Sequence, residues 1–253
     1  MPAKEAAKGP ETMRGATRRR LLRGTFAALV LIPLACLSAR FVNAAERAVV
    51  VPAPAVDETA SSGLQTVVLA GGCFWGVQGV YEHTKGVTQA VSGYAGGQKD
   101  TAHYEMVGTG RTGHAESVSV TFDPQQISYG KILQIYFSVA HNPTELNRQG
   151  PDFGSQYRSA IFYANDEQKR VATAYIAQLQ QAHVFSAPIV TKLESLAGFY
   201  PAEDYHQDFL VLHPSYPYIV FNDLPKIDEL KQLFPDNYRQ SPVTVMAASR
   251  STQ

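Results

Sequence analysis

The chain has 253 residues, 45% of them hydrophobic, and two cysteines, which suits one substantial domain whose core needs no staples. Its 22 basic and 22 acidic side chains cancel only in sum: eight Lys/Arg and two Asp/Glu fall in residues 1–44, leaving 14 basic and 20 acidic beyond them. So mildly acidic a body excludes a dedicated nucleic-acid binder, which presents a basic face.

Residues 1–44 read as an export signal. Arg18, Arg19, Arg20 and Arg23 form a charged n-region, an apolar run of about fourteen residues follows, and Val42-Asn43-Ala44 resembles a small-residue cleavage site. The run is shorter than the roughly 20 apolar residues a membrane span needs. TRRRLLR (17–23) also resembles the twin-arginine export signal of bacteria, with leucine at the usual phenylalanine position. Export to a bacterial periplasm is the expectation, with an uncleaved membrane anchor as the alternative. Residues 1–12 read as an optional leader, and Met13 as a candidate start. Cys36 lies inside the apolar run, so cleavage after Ala44 would leave Cys73 without an internal disulfide partner.

Residues 45–62, rich in Ala, Pro, Val and Ser, read as an extended linker, and 239–253 as a flexible tail. The folded domain is then 63–238. Within it a nearly continuous apolar run at 64–70 predicts a buried strand, 74–83 a helix and 87–94 a second strand. A Gly-rich loop at 96–110 leads to a third strand at 115–122. In ISYGKILQIYFSVA, Ser128 is placed to cap a helix whose Ile132, Leu133, Ile135, Tyr136 and Val139 recur at helical spacing. A strand at 158–163, a helix at 166–183, a strand at 189–194 and a short helix at 225–234 follow. The first six elements run β-α-β-β-α-β, the split βαβ or ferredoxin-like order. The expected class is α+β, with a mixed or antiparallel sheet and packed helices.

LAGGCFWGVQG (69–79) sets Cys73 between a predicted strand end and a predicted helix start. Unpaired N–H groups and the helix dipole favour an anion there, so the thiol is expected to have a depressed pKa. The glycines allow a sharp turn and a close approach of substrate to the backbone. A buried structural cysteine beside packing glycines is the plainer reading. In the strand 115–122, alternation puts Glu116 in phase with Val118, Val120 and Phe122. Desolvation on that face would raise its pKa and make it a general acid, whereas a strand-end glutamate facing water would have no such role. The long polar loop 140–160 holds Asn142, Asp152 and Tyr157, punctuated by Gly150 and Gly154, and Tyr94 and Tyr104 flank the earlier Gly-rich loop. His, Cys and carboxylates show no compact metal-ligand spacing.

Five ordered blocks, GGCFWG (71–76), SGYAGG (92–97), HYEMVGTGRTGHAESVSV (103–120), HNPTELNRQGPDFGSQYRSAI (141–161) and FYPAEDYHQDFL (199–210), together resemble the A-type peptide-methionine sulfoxide reductase family. YIVFNDLPKIDELKQLFP (218–235) extends the match over essentially all of 64–236. The resemblance implies a ferredoxin-like core and reduction of the S epimer of methionine sulfoxide, free or in proteins. It implies Cys73 as nucleophile, Glu116 as acid, Tyr104 and Tyr157 as assisting hydroxyls and Asp152 as an orienting carboxylate. Phe74 and Trp75 correspond to the substrate-binding wall for the sulfoxide methyl, where sulfur–aromatic contacts contribute about 0.3–1.5 kcal/mol. The product would be methionine and a sulfenic acid on Cys73.

Many members of that family carry further cysteines near the C-terminus that resolve the sulfenic acid, and RQSPVTVMAASRSTQ (239–253) has none. An external thiol, a thioredoxin-like protein or glutathione, is then implied as reductant, with no bound cofactor, no metal and a monomeric protein. Gln78 stands where relatives often have glutamate. Two other classes compete: a cysteine hydrolase or acyltransferase pairing Cys73 with His114 or His206, and a periplasmic binding protein that recognises oxidised methionine without turnover.

Overall fold

The computed structural model of the chain describes residues 48–59 and 62–246, so the expected export signal, Cys36 and residues 247–253 lie outside the described residues. In chain order the elements are β1 (Gln65–Ala70), α1 (Phe74–Glu82), β2 (Val87–Ala95), α2 (Tyr104–Val107), β3 (Ala115–Phe122) and α3 (Tyr129–Ile135). A short hairpin of β4 (Arg148–Gln149) and β5 (Asp152–Phe153) follows, then β6 (Ala160–Tyr163) and α4 (Asp166–Gln181). The chain continues through β7 (Lys192–Ser195), β8 (Phe199–Pro201), α5 (Phe209–Leu212) and α6 (Leu224–Leu233). No described helix is long and apolar enough to cross a membrane.

The main sheet has the order β7-β6-β1-β3-β2-β8. Its four inner strands, β6-β1-β3-β2, are antiparallel throughout, with Leu69 opposite Val118 and Tyr94 opposite Glu116. This is the ferredoxin-like arrangement expected from the sequence. Two edges extend it: β7 pairs parallel with β6, and β8 antiparallel with β2. The sheet is therefore mixed.

Two of the helices, α3 and α4, start at side-chain caps. Ser128 accepts a hydrogen bond from the Lys131 N–H (3.2 Å) at the start of α3, and Asn165 accepts one from the Gln168 N–H (2.8 Å) at the start of α4. The expected long helix after Ser128 changes character at its end, where Tyr136–Ala140 forms a wider π-type turn. That turn carries the Tyr136 hydroxyl, which donates to the Ala70 carbonyl (2.6 Å), pinning the last residue of β1. Helix α1 packs on β2 and β3 and buries Val77, Val80 and Tyr81. Gln78 anchors it: its amide donates to the Ala90 carbonyl (3.0 Å) while its oxygen accepts from the Ser92 hydroxyl (2.8 Å). A carboxylate could accept the second bond but could not donate the first.

Two segments differ from the sequence expectation. Residues 48–59, expected within a linker, are extended but docked. Val51 is buried in the core, the Tyr175 hydroxyl donates to the Pro52 carbonyl (2.7 Å), and Gln134 and Gln178 donate to the carbonyls of Val51 and Ala53. The Ala, Pro and Val that suggested a linker here let an extended strap lie flat over α3 and α4. Residues 239–246, expected within a flexible tail, are also held. Val243 N–H donates to the Glu82 carbonyl, and the N–H groups of Val245 and Met246 donate to the Asp208 carboxylate (2.9 and 3.1 Å).

Removal of residues 1–57 should therefore lower stability by about 2–3 kcal/mol, the scale of one buried valine and several hydrogen bonds. A urea titration of the truncated and full chains measures this; a free linker would leave the midpoint unchanged.

Candidate active site

Gly71-Gly72 follow β1 directly, and Gly72 takes φ +88°, a left-handed conformation that turns the chain sharply into α1. Cys73 occupies the N-cap of that helix and no side chain caps it. The two glycines do not open the backbone to a substrate, as the sequence suggested. A Cβ on Gly71 would lie 2.8 Å from the His141 ring, and one on Gly72 would collide with the Gln149 side chain. The loop is tight because protein packs against it.

The first helix N–H groups are used at once. Phe74 N–H donates to Glu116 Oε2 (3.1 Å), and Trp75 N–H hydrogen-bonds the Cys73 sulfur. Glu116 lies on the face of β3 that also presents Val118, Val120 and Phe122, and is 3% exposed. Burial pushes its carboxyl up to about 8, opposed by the Phe74 N–H and reinforced by Asp152 and Asp223. At neutral pH it holds a proton, as the strand phase suggested.

Cys73 departs from expectation. The enclosing walls strip the sulfur of water and push the thiol well above the ordinary range, with Glu116, Asp223 and Asp152 adding to the effect and only the Trp75 N–H opposing it. The helix start offers a donor, but desolvation among carboxyls outweighs it. The resting residue is a thiol rather than a thiolate.

A cavity of about 210 Å3 opens on this sulfur, lined by Cys73, Phe74, Trp75, Tyr104, Glu116, Asp152, Tyr157, Tyr216 and Tyr218. All seven residues to which the resemblance assigns a role meet here, whereas Asn142 and Tyr94 do not line the cavity. Trp75 stacks on Phe209 (centroids 3.9 Å apart) and donates from Nε1 to His206 Nδ1 (3.2 Å), so its ring is fixed as one wall. Phe74 is buried against Tyr94 and His206. Tyr104, 37% exposed, stands at the mouth. Burial raises the phenols of Tyr104 and Tyr157, keeping them protonated donors at neutral pH. Asp152, on β5, accepts a hydrogen bond from the Tyr218 hydroxyl. Among the described residues no group of three or more His, Cys, Asp or Glu is placed to hold a metal ion.

Several site residues were not singled out from the sequence. Glu203 accepts from the Tyr94 hydroxyl (2.8 Å) and the Tyr104 N–H (3.0 Å), holding the start of α2 over the cavity. Tyr216 and Tyr218 line the wall, and a second, small cavity of about 20 Å3 reaches Cys73 between Gln149, Asp152, Tyr218, Asn222 and Lys226. Glu203 and Gln149 fall in the ordered blocks 199–210 and 141–161, and Tyr218, Asn222 and Lys226 in the block 218–235, but none of them carried an assigned role. The hydrolase reading is not supported. His206 faces Trp75, His114 is engaged by the Gln98 carbonyl and the Gly97 N–H, and no histidine lines either described cavity at Cys73.

Residues 65–238 match the family described as peptide methionine sulfoxide reductase. The chain is 64% identical over 194 residues to "Peptide methionine sulfoxide reductase MsrA 2" of Mesorhizobium japonicum, covering 77% of this chain and all of that one. It is 47% identical to the protein of the same description from Synechocystis sp., covering 75% and 91%. Among solved structures it resembles Mxr1 from Saccharomyces cerevisiae in reduced form (TM-score 0.55, 30% identity, 64% and 92% covered). It also resembles methionine sulfoxide reductase A of Corynebacterium diphtheriae (TM-score 0.52, 31% identity, 69% and 90% covered).

The raised carboxyl has a thermodynamic signature. Between about pH 4.5 and 8 the native state keeps a Glu116 proton that the unfolded chain has lost, so this group's contribution to stability falls as pH rises through that window. Glu116→Gln should flatten that decline, measured as urea midpoints across the range; identical slopes for both proteins would refute the buried, protonated carboxyl.

Proposed function

The chain belongs to the peptide methionine sulfoxide reductase family and reduces methionine sulfoxide, and from that premise we propose that Cys73 is its nucleophile and Glu116 its proton donor, acting on the S epimer. The observation that carries the reading is the convergence of a thiol, a protonated carboxyl and two neutral phenols on one aromatic-walled cavity.

The sulfoxide methyl and thioether rest against Phe74 and Trp75, with the oxygen towards Glu116, Tyr104 and Tyr157. The Cys73 sulfur attacks the sulfoxide sulfur as Glu116 protonates the departing oxygen, and the two phenols donate to the charge that develops there. That oxygen then shifts to the Cys73 sulfur as the new S–S bond and the substrate's S–O bond break, giving a sulfenic acid and methionine, and the thiol proton restores Glu116. Thiol plus sulfoxide thus become sulfenic acid plus thioether, with no net proton consumed. Asp152, held by Tyr218, orients the substrate side of the cavity.

Recycling is proposed to need an external thiol. The sequence has two cysteines, and Cys36 lies in the stretch read as a signal. The first external thiol displaces water from the sulfenic acid to form a mixed disulfide, and a second releases Cys73. A thioredoxin-like protein or a small thiol such as glutathione supplies these electrons. Residues 1–44 are proposed to direct export to the periplasm, on the strength of their arginine-rich start and apolar run.

Without reductant, the protein should release one methionine per chain from the S-sulfoxide and gain one oxygen at Cys73, seen by mass spectrometry. With dithiothreitol it should turn over the S epimer alone. Cys73→Ser should abolish this, and Glu116→Gln should slow it by about 10²–10⁴-fold, the usual contribution of a general acid. Equal turnover of both epimers, or activity in Cys73→Ser, would remove the proposal.

A further inference from the structure

His206 closes a short 3-10 turn, Asp204–His206, between β8 and α5, and is 2% exposed. It does not line the active-site cavity, but its ring packs against three residues that do. Ring centroids lie 4.4 Å away at Tyr104, 5.1 Å at Phe74 and 5.8 Å at Trp75. An indole N–H only donates, so the bond from Trp75 Nε1 (3.2 Å) requires an unprotonated Nδ1 on His206. The proton of the neutral ring then sits on Nε2. That atom is buried and has no hydrogen-bond partner among the described residues. A phenylalanine would fill the same space among aromatic rings and strand no donor. What the imidazole adds is the acceptor at Nδ1.

That acceptor does for the indole what packing does not. Trp75 stacks on Phe209 almost parallel, with 9° between the planes and centroids 3.9 Å apart. Stacking fixes the plane of a ring but lets it turn within that plane, whereas a hydrogen bond is directional. With Nε1 tied to His206 one indole orientation is selected, and Tyr216 and Tyr218 close on it at 87° and 84°. The wall offered to a sulfoxide methyl therefore has one shape.

We propose that His206 is a positioning residue for sulfoxide reduction, whose neutral ring locks the Trp75 wall and whose protonation unlocks it. An imidazolium has two donors and no acceptor, so a protonated His206 would set N–H against the N–H of Trp75. The titratable or charged groups around the ring are Tyr104 on α2, and Glu203 and Tyr205 beside it in the chain. Helix α1 faces it with the rings of Phe74 and Trp75. Burial holds His206 below the ordinary histidine range, opposed by the Glu203 charge. The ring is thus neutral at pH 7, and the lock is lost only as pH falls through that lowered range. Acid leaves Glu116 protonated, so a weaker hold on substrate there does not come from loss of the proton donor.

The inference rests on Phe74 and Trp75 being the sulfoxide wall, but fluorescence reads the bond without turnover, so its failure is distinct from failure of the sulfoxide assay. Trp75 is the single tryptophan of the chain, and emission excited beyond the tyrosine band reports it alone. An imidazolium against an indole quenches that emission. Titrated from about pH 8 to about pH 4.5, the full chain should lose emission in a step centred below the ordinary histidine value of about 6.5. His206→Phe keeps every other titrating group and should lack the step. In single turnovers at neutral pH, the sulfoxide concentration giving half the limiting rate should rise about three- to tenfold in His206→Phe, the scale of one hydrogen bond, with the limiting rate within about twofold. His206→Asn offers a carbonyl acceptor that takes no proton, and should recover most of that affinity and keep it in acid. Where neither variant folds, the unsubstituted chain decides: its half-saturating concentration should rise in acid along the emission step. No emission step, a step that persists in His206→Phe, or a half-saturation that ignores either the step or the folded Phe variant overturns the proposal and leaves His206 a packing residue.

Discussion

The bond from the Phe74 N–H to the Glu116 carboxyl ties the first turn of α1 to β3, and the site is built around it. A helix start has donors with no partner in the helix, and a buried carboxyl has oxygens with no water. Each answers the other's need. The bond requires Cys73 to stand at the N-cap, one residue before the donor, and requires Glu116 to lie on the inner face of its strand. With one oxygen committed to the backbone, the other can carry a proton into the cavity. Tyr136 pins the end of β1 and Gln78 pins α1 to β2, so neither side of the bond can drift.

Charge within the site follows from a shortage of cations. Glu116, Asp152, Asp223 and a thiol share one ammonium, and in a poorly solvated interior they do not all ionise. Lys226 lowers Asp223 and Asp152, while Glu116 has only one N–H in its favour. The proton therefore stays on Glu116, where an oxygen leaving the sulfoxide can use it. Cys73, with one N–H and three carboxyls about it, stays a thiol. Acid and nucleophile are assigned by the same shortage.

The sequence made the inner sheet legible because its strands have strong period-two or continuous apolar runs, and α3 because Ser128 marks its start and apolar residues recur at helical spacing after it. Glu116 was legible for the same reason: its phase with Val118, Val120 and Phe122 is a local property. The thiol's protonation state was not, since it depends on burial and on carboxyls brought to the sulfur from distant parts of the chain. The docked strap at 48–59 was misjudged because Ala, Pro and Val suit a free linker and an extended strap equally. What separates them is the set of acceptors and donors on α3 and α4 that the strap meets. Glu203 and Tyr218 lie outside the predicted elements and Lys226 at the start of the predicted helix 225–234, and in each case only tertiary contact gives the residue its role.

GGCFWG is thus less a loop shaped for substrate than a socket for the rest of the fold. Gly71 receives His141 from the end of the π-type turn, Gly72 receives Gln149 from the β4–β5 hairpin, and Gly76 receives Asp223 from the approach to α6. Three segments distant in the chain from the cysteine close on its turn, and each does so where a side chain has been left out. That packing excludes water from the sulfur, which raises the thiol. It also brings Asp152, through the hairpin, and Lys226, through α6, to the cavity edge. The glycines act on the chemistry without touching substrate: by admitting neighbours, they set how much solvent and which charges the sulfur meets.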